Sequence, residues 1–580
     1  MNDLVCTRIN IVATINDTRA AQFSNKLGLE VVALADSYLL EADLEATAIQ
    51  EQAKCLIDYK KEALLESANL AAFDYALEIG FLPGVTDNVA TTVKKILADA
   101  AGLKFNVYSS QILFIRTNKS EAEVLEQAAP LYNPLIQRAI IKSQTEFLEQ
   151  GMGLKPPKVE LVADSKTLEV DLAISDEELI ELSNKGIQDE QGQARGPLAL
   201  GLDYMKTIQA HFADLGRKPK DIELESIAQT WSEHCKHTIF ADPIDELEEG
   251  LYKGYIKAAT NTVRKNKGDK DFCVSVFTDN SGAIEFDDDY LITHKVETHN
   301  SPSALDPFGG AITGIVGVNR DAIGTGMGAK PVANLYGYCF GEPVILRNSE
   351  AVTLGSHGCS ERDPDASLRM TEGLYRDKAL TEPMLSPQRI MEGVIEGVKV
   401  GGNCSGIPTV HGFSYFHPSY RAKPLVFVGT LGLMPRQVNG KDSTLKAARP
   451  GDLIVVLGGR VGLDGIHGAT FSSVEMDSSS PATAVQIGDP ITQKKFSDAI
   501  IKEARDRGLY SSITDNGAGG ISCSVAEMAR ECGGCYVELD KVPLKYPGMQ
   551  AWQIWISESQ ERMTLAVPPE NWDELSSLFK

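Results

Sequence analysis

The sequence predicts a multidomain protein of mixed α+β and α/β class. A chain of 580 residues is too long for one core, and about 150 residues per domain gives three to four domains. The hydrophobic fraction of 43% and the charged fraction of 23% are ordinary for folded proteins. Short β-like runs alternate with helical stretches, with an α+β pattern in the N-terminal region and an α/β pattern further along the chain.

The N-terminal region, residues 1–150, is predicted to form a small α+β domain. Runs 8–13 and 107–115 have the composition of strands. Residues 88–97 carry apolar side chains at helical spacing and follow the capping candidates Thr86 and Asp87. The region contains no catalytic cluster, which favours a docking or structural module.

Residues 170–240 are predicted to form a helical linker. A polar segment, 175–197, precedes two helices, 201–217 and 223–231, which are separated by a break at Lys218-Pro219. The second helix places Ser-Glu-His-Cys at its end.

Two further domains are expected, at 241–433 and 434–580. The first has an α/β pattern, with strands at 290–296 and 424–432 around an amphipathic helix at 386–398. The second opens with a strand at 452–459, and the chain stops on a helix-like segment at 571–580.

Composition excludes some functions. A net charge of -24 and a pI near 4.9 argue against a general nucleic-acid binder, although a local positive site could still bind a small anion. No run of about 18 apolar residues and no signal-peptide pattern occurs, so we expect a cytoplasmic protein without membrane segments. Ten cysteines include one Cys-x-x-Cys, Cys532 to Cys535, which we interpret as ordinary thiols; zinc or redox chemistry is the alternative.

The first polar cluster is Trp231 to His237. His234, Cys235 and His237 could bind zinc, but adjacent residues at a helix end do not converge easily on one ion. His234 could instead carry a proton, because the imidazole pKa lies near neutrality. A histidine satisfied by the core is the structural alternative.

The second cluster is His294 to Asn300. Lys295, Glu297 and His299 alternate and would share one face of a strand, offering a cation for phosphate, a carboxylate for Mg2+ and an imidazole for proton transfer. A solvated strand face is the alternative. The continuation into Pro302, Pro307 and a glycine-rich segment favours a site.

Three glycine-rich segments complete the pattern. Residues 308–321 are predicted to form a loop whose N–H groups approach a polyphosphate, although no Gly-Lys-Ser/Thr of a Walker A motif ends it. Residues 458–470 are a second anion candidate or a tight strand-to-helix turn. Residues 515–520, with 486–490, add a carboxylate and an amide beside turn glycines.

Seven segments, in order, resemble the phosphoribosylformylglycinamidine synthase family of purine biosynthesis. They are Ser232-Glu-His-Cys235, Glu297-Thr-His-Asn300, Gly309 to Asp321, Gly406-Ile-Pro-Thr-Val410, Asp464 to Ser473, Asp515 to Gly520 and Ser557-Glu-Ser-Gln-Glu-Arg562. The resemblance implies that ATP activates the carbonyl oxygen of formylglycinamide ribonucleotide, as an iminophosphate, and that ammonia displaces the phosphate.

The resemblance also implies roles for individual residues. His234 and His299 would be catalytic, and Glu297, Asp321 and Asp515 would hold Mg2+. The implied ATP contacts are Lys295, His237, Gly309, Gly310 and Gly314. The implied substrate contacts are Thr298, Asn300, Ser301, Arg320, Gln486, Glu558, Ser559 and Gln560. Ser301 and His237 depart from the family's short form, which has histidine and tyrosine at these two positions.

The resemblance further implies a domain plan and partners. The N-terminal domain would be ferredoxin-like and similar to a small separate subunit. An aminoimidazole ribonucleotide synthetase-like ATP-binding domain and a truncated second mixed domain would follow the linker. A second synthetase half and a glutaminase that supplies ammonia from glutamine would be partners. A non-catalytic binding or assembly subunit, and another synthetase-like ATP enzyme, are the alternatives.

Overall fold

The computed structural model describes residues 4–580 apart from 15–16, 66–69, 135, 160, 162–165, 190–191, 193, 343, 348–349, 354–384 and 473–485. Ser473 and part of the 188–197 segment therefore lie outside the described residues. The chain divides into two compact units, residues 1–160 and 161–580. Across the described ranges, no helix combines the length and the apolar character that crossing a membrane requires.

The first unit is a six-stranded antiparallel sheet with helices. The strands are β1 (Val5–Ala13), β2 (Glu30–Ala42), β3 (Glu62–Leu64), β4 (Tyr75–Phe81), β5 (Asn106–Arg116) and β6 (Gln137–Ser143), in the order β3-β1-β2-β5-β4-β6. The helices are α1 (Thr18–Leu27), α2 (Ala46–Ala53), α3 (Asn88–Ala101), α4 (Glu121–Ala128) and α5 (Gln144–Gln150). Both predicted strands and the predicted helix are confirmed, and Asp87 caps α3 by accepting from the Ala90 N–H.

The second unit begins with helices. They are α6 (Asp176–Lys185), α7 (Leu202–Asp214), α8 (Asp221–Trp231), α9 (Glu233–Lys236), α10 (Thr238–Ala241) and α11 (Ala258–Lys267), the last continuing a π-helical turn, Tyr252–Lys257. The two helices predicted around Lys218-Pro219 are confirmed as α7 and α8. Leu179 of α6 packs with Ile208 and Leu224, so the polar segment before α7 belongs to a common core.

A second six-stranded sheet follows. Its strands are β7 (Cys273–Ser275), β8 (Gly282–Glu285), β9 (Tyr290–Thr298), β10 (Lys330–Phe340), β13 (Thr409–Phe416) and β14 (Leu425–Pro435), in the order β13-β10-β14-β9-β8-β7. Only β10 and β13 are parallel. Two small hairpins are β11 (Val344–Arg347) with β12 (Glu350–Thr353), and β15 (Gln437–Val438) with β16 (Lys441–Asp442).

Helices cover one face of this sheet. They are α12 (Asn300–Leu305), α13 (Pro307–Gly324) and α14 (Pro387–Ser405). Ala311 and Ile315 of α13 and Val394 of α14 pack on Tyr336 and Val428 of the sheet. The sheet therefore fixes α13 directly behind the end of β9.

The prediction of a glycine-rich loop at 308–321 is wrong, because these residues form most of α13. The helix is buried along nearly its whole length. A Cβ on Gly310 would lie 2.5 Å from the Pro302 carbonyl carbon, and one on Gly314 would lie 3.1 Å from His299 Cβ. The glycines allow α13 to approach its neighbours closely.

The C-terminal part has a three-stranded antiparallel sheet, β17 (Leu453–Gly458), β19 (Arg562–Val567) and β18 (Ser512–Asp515), in the order β17-β19-β18. Its helices are α15 (Gly468–Ser472), α16 (Pro490–Ala499), α17 (Ile521–Cys532), α18 (Ala551–Ile556) and α19 (Trp572–Leu578). The core contains Ile500, Ile513, Leu565 and Leu575. The predicted strand at 452–459 and the terminal helical segment are confirmed.

Candidate active site

Strand β9 presents two of the predicted residues together. Lys295 and Glu297 are half-buried on one face, and the intervening residues His294, Val296 and Thr298 are exposed on the other. Lys295 Nζ lies 3.6 Å from Asp321 Oδ2 on α13. Burial alone would lower the pKa of Lys295, but the negative charges of Asp321 and Glu297 outweigh it and raise the pKa. The ammonium therefore stays charged.

His299 follows directly after β9. Its N–H donates to the Val426 carbonyl at 2.8 Å, which extends the ladder by one residue beyond the assigned strand. Burial against α13 lowers the pKa of its imidazole to about 4, although the charge of Glu297 opposes the shift. His299 is therefore a neutral imidazole at physiological pH and can accept a proton.

His234 joins the same cluster from the helical region. It lies in α9, immediately after α8, and retains solvent exposure. Desolvation lowers its pKa, and it interacts electrostatically with Glu297 and Lys295. His299 also responds to the charge of His234. The fold thus brings both predicted catalytic histidines to the Glu297 carboxylate.

The acidic part of the site lies between α13 and β18. Arg320 Nε donates to Asp515 Oδ2 at 2.9 Å, and Asn280 Nδ2 donates to Asp515 Oδ1 at 3.0 Å. Burial raises the pKa of Asp321 well above its usual value, and the charges of Asp515 and Glu297 add to the shift. Three carboxylates therefore share a region where their negative charge is costly.

A hydrogen-bonded chain of side chains leads from Arg320 to Glu558. Arg320 Nη1 donates to Gln560 Oε1 at 2.7 Å, Gln560 donates to Gln486, and Gln486 donates to Glu558. Glu558 Oε1 accepts from the N–H groups of Ala469 and Gly519, each at 3.0 Å. Burial raises the pKa of Glu558 to about 7 despite these bonds. The two glycine-rich turns thus bind a carboxylate of the protein itself.

The remaining predicted residues have different environments. Asn300 Oδ1 accepts from the Val426 N–H at 2.9 Å, and Ser559 Oγ accepts from the Gly462 N–H at 3.0 Å. Ser301 is buried in the first turn of α12, where Pro302 follows. His237 is exposed with a positive φ of 54°, between α9 and α10.

The three glycines predicted to contact ATP do not offer free N–H groups. The Gly310 N–H donates to the Asp306 carbonyl at 2.8 Å inside α13. Burial raises the pKa of the Asp306 carboxyl to about 6, against hydrogen bonds from the Gly309 and Phe308 N–H groups. Gly314 makes room for His299. Their contribution is the close approach of α13 to the site.

Two residues were missed by sequence reasoning. Asn280 orients Asp515 from a polar turn between β7 and β8, for which the sequence gives no functional signal. His467 lies in the segment 458–470 that was singled out as a whole, yet its own contact, Nε2 to Glu225 Oε2 at 2.7 Å, involves a residue 242 positions away. Only the tertiary structure reveals such contacts.

The carboxylates also allow a test of the implied metal. Within the described residues, no three His, Cys, Asp or Glu side chains converge closely enough to form a metal-binding group by themselves. Magnesium needs only one or two carboxylates when phosphates and water complete its shell. The raised pKa of Asp321, to which burial and the charges of Asp515 and Glu297 contribute, fits a divalent cation there, because a cation would favour the ionised carboxylate.

Comparisons with known proteins match this architecture in three places. The AIR synthase related protein N-terminal domain matches residues 278–362 and 370–434, and the corresponding C-terminal domain matches residues 449–580. The formylglycinamide ribonucleotide amidotransferase linker domain matches residues 190–237, which include Ser-Glu-His-Cys. The matched segments are therefore similar to the paired domains of AIR synthase related proteins.

In the identity and order of these domains, the chain is similar to the PurL subunit of phosphoribosylformylglycinamidine synthase. Subunit PurL of Thermoplasma acidophilum is 36% identical over 384 residues, covering 66% of this chain and 43% of that protein. Subunit PurL of Thermotoga maritima is 33% identical over 360 residues, covering 61% and 46%. The solved structure of T. maritima PurL complexed with FGAR has a TM-score of 0.47 and 29% identity, covering 65% and 50%. The chain spans less than half the length of these curated relatives.

Proposed function

We propose that this chain is the synthetase component that converts formylglycinamide ribonucleotide to formylglycinamidine ribonucleotide with ATP and ammonia, a carbon–nitrogen ligase of purine biosynthesis. The supporting observation is the cluster of neutral His234 and His299 around Glu297, beside charged Lys295 and the carboxylates Asp321 and Asp515. A cluster of groups with perturbed pKa values is typical of functional sites.

The chemistry assigns a role to each group. The amide oxygen attacks the γ-phosphorus of ATP, ADP leaves, and the amide nitrogen releases its proton to water, which gives an iminophosphate. Ammonia then adds to the carbon, phosphate leaves, and the proton that nitrogen loses passes to a neutral imidazole. Lys295 neutralises the transferring phosphate, and His234 and His299 are the candidate acceptors.

We assign Mg2+ to Glu297, Asp321 and Asp515. When bound, it would neutralise phosphate charge and orient the ATP oxygens. Arg320 and Asn280 already fix the Asp515 carboxylate from both oxygens, which limits the rearrangement that metal binding requires.

The substrate is proposed to lie along the Arg320 to Glu558 chain and the end of β9. The contacting residues are proposed to be Thr298, Asn300, Ser301, Arg320, Gln486, Glu558, Ser559 and Gln560. His237 is proposed to contact ATP with Lys295. Gly309, Gly310 and Gly314 serve the site through the packing of α13.

A second synthetase half is the proposed partner of the six-stranded sheet. Among the described residues, the edge strand β13 pairs only with β10. Val410, Phe413 and Tyr415 on this strand are 60%, 48% and 52% exposed, and Val296 on β9 is 37% exposed. Such an apolar sheet face is costly in water and fits a homologous sheet. A glutaminase is the proposed ammonia source, and we place the reaction in the cytoplasm.

The N-terminal unit is proposed to be a ferredoxin-like, small-subunit-like docking module. Its support is the antiparallel sheet flanked by capped helices. This assignment keeps catalysis in residues 161–580.

The direct test is ADP release by the purified chain with Mg-ATP, formylglycinamide ribonucleotide and ammonium chloride, each omitted in turn. Turnover that needs all of them supports the ligase. Turnover that appears only on adding the second half makes the chain a subunit. Nucleotide binding without turnover in either case favours a non-catalytic binding or assembly subunit. Turnover with a different amide or amidine substrate would identify another synthetase-like enzyme.

His299→Ala is expected to abolish amidine formation, by about 100-fold or more, while ATP affinity changes only a few-fold. His294→Ala is the matched control, since His294 lies five residues earlier on the exposed face of β9. Loss of ATP affinity in His299→Ala alone would make His299 a nucleotide ligand and contradict its role as proton acceptor.

A further inference from the structure

Helix α8 connects the linker to the active site, because a single residue, Ser232, separates its last residue, Trp231, from α9, which carries His234. The orientation of α8 therefore influences where His234 lies. Asp221 and Glu225 are one helical turn apart and are 1% and 0% exposed, so α8 turns two carboxylates inward. Buried carboxylates need partners, and both have them.

The partners form a closed set of contacts. Glu225 Oε2 lies 2.7 Å from His467 Nε2, and the His467 ring stacks on Trp552 at a centroid distance of 5.7 Å. The Arg195 guanidinium lies 4.9 Å from the Trp552 ring centroid, and Arg195 Nη1 donates to Asp221 Oδ2 at 2.8 Å. We call these five residues the α8 clamp. The chain of contacts begins at Glu225 and ends at Asp221, and both of these residues lie on α8.

The same histidine belongs to the turn that holds Glu558. His467 has a positive φ of 61°, and two residues later the Ala469 N–H donates to Glu558 Oε1 at 3.0 Å. Behind the ring, a Cβ on Gly196 would lie 2.8 Å from His467 Nδ1, so the ring has little room to shift. Glu558 in turn connects through Gln486 and Gln560 to Arg320.

We propose that His467 is a positioning residue: by bonding Glu225 while its turn holds Glu558, it fixes His234 relative to the substrate-binding side chains. The inference rests on the proposed function of this site. A buried ion pair often adds little net stability, because desolvation offsets the attraction. The α8 clamp therefore contributes mainly by fixing the geometry of α8, rather than by adding stability.

The test compares two buried glutamates. Glu225→Leu breaks the α8 clamp, and Glu78→Leu breaks the Arg8–Glu78 pair of the first unit, whose N–O distance is 2.6 Å with Glu78 1% exposed. Both should lower Tm. We expect Glu225→Leu to lower kcat/KM for formylglycinamide ribonucleotide by about tenfold or more with the KM for ATP within about twofold, as a misplaced group would. Glu78→Leu should keep both constants.

A conservative variant of Glu225 and a double variant test the proposal further. Glu225→Gln can still accept from His467 and should recover most of the lost activity. His467→Asn suits the positive φ but is shorter, so it should match Glu225→Leu, and the double variant should be no worse than either. Unchanged kcat/KM in Glu225→Leu and His467→Asn, with Tm lowered, would overturn the proposal. If Glu225→Leu does not fold, Glu225→Asp should show the same pattern in weaker form.

An NMR measurement that does not depend on turnover tests this inference independently of the proposed function. In the unliganded chain, the imidazole NMR signal of His234, assigned with His234→Gln, should shift in Glu225→Leu and remain unchanged in Glu78→Leu. A shift supports the α8 clamp even if the chain has no ligase activity. An unshifted His234 signal overturns it even if the ligase is confirmed.

Discussion

Two glycine-rich regions of this chain look alike in sequence and fold differently. Residues 308–321 lie in the buried helix α13, where no glycine has a positive φ. In the turns of the C-terminal part, Gly458, Gly465, Gly519 and Gly520 all have positive φ, from 56° to 112°. In α13 glycine is needed for its missing side chain, and in the turns for its backbone freedom.

The difference teaches that glycine density does not identify a phosphate-binding loop. In α13 the N–H groups are used within the helix or by Asp306, whereas the turns direct the Ala469 and Gly519 N–H groups at one carboxylate oxygen of Glu558. The turns bring N–H groups from two separate segments to one carboxylate, whereas the N–H groups that bind Asp306 come from the start of a single helix. The helix serves the site by its closeness to His299.

The largest expected effect is at Gly310. Gly310→Ala places a Cβ 2.5 Å from the Pro302 carbonyl carbon and 2.6 Å from the Ser303 nitrogen, both backbone atoms that cannot easily yield. We expect unfolding free energy to fall by about 4 kcal/mol, measured by urea denaturation. Gly317→Ala in the same helix has nothing within 4 Å and should gain about 0.5–1 kcal/mol. Equal effects of the two would show that α13 is not tightly packed.

The next largest expected effect is the pH dependence that Glu558 gives to the stability of the fold. Its pKa rises from 4.5 in the unfolded chain to about 7 in the fold, so between these values the folded state keeps a proton that the unfolded state loses. Stability is therefore lost as pH rises, by about 3 kcal/mol. Glu558→Gln removes this dependence, so its stability relative to the native chain should grow by about that amount from pH 4 to pH 8.

Denaturation at several pH values measures the Glu558 effect. Glu392→Gln on the exposed side of α14 is the control and should show a constant difference. A constant difference for Glu558→Gln as well would mean that the turns do not hold a buried carboxyl.

The smallest expected effect on stability comes from comparing two glycines with positive φ, one crowded by a neighbouring side chain and one in open space. Gly519→Ala meets both a φ of 68° and Cys523 Sγ at 2.6 Å, and should cost about 2 kcal/mol. Gly216→Ala has a φ of 63° and open space, and should cost about 1 kcal/mol. Thermal unfolding gives both values, and a larger loss for Gly216→Ala would contradict the packing at Gly519.

Much of the fold could be predicted from local pattern. The start of α3, the end of α8 and the presence of strands β9 and β14 agree with the prediction, because capping residues, proline breaks and apolar periodicity act over a few residues. The sharing of one face by Lys295 and Glu297 follows from strand alternation alone. The loop prediction failed at α13. Glycine is required there by close contacts between the helix and neighbouring segments, and the local sequence pattern does not predict those contacts.

The sequence by itself determined which chemistry is present: imidazoles, carboxylates and a lysine in segments that resemble one enzyme family. The tertiary structure decided how they act. It buried His299 as a neutral imidazole, brought His234 near Glu297 and Lys295, placed the charges of Asp515 and Glu297 around Asp321, and joined Glu225 to His467 across 242 positions. The physical reason is that residue type sets a group's intrinsic affinity for protons, whereas burial and neighbouring charge, which depend on long-range packing, set the affinity it has in the site.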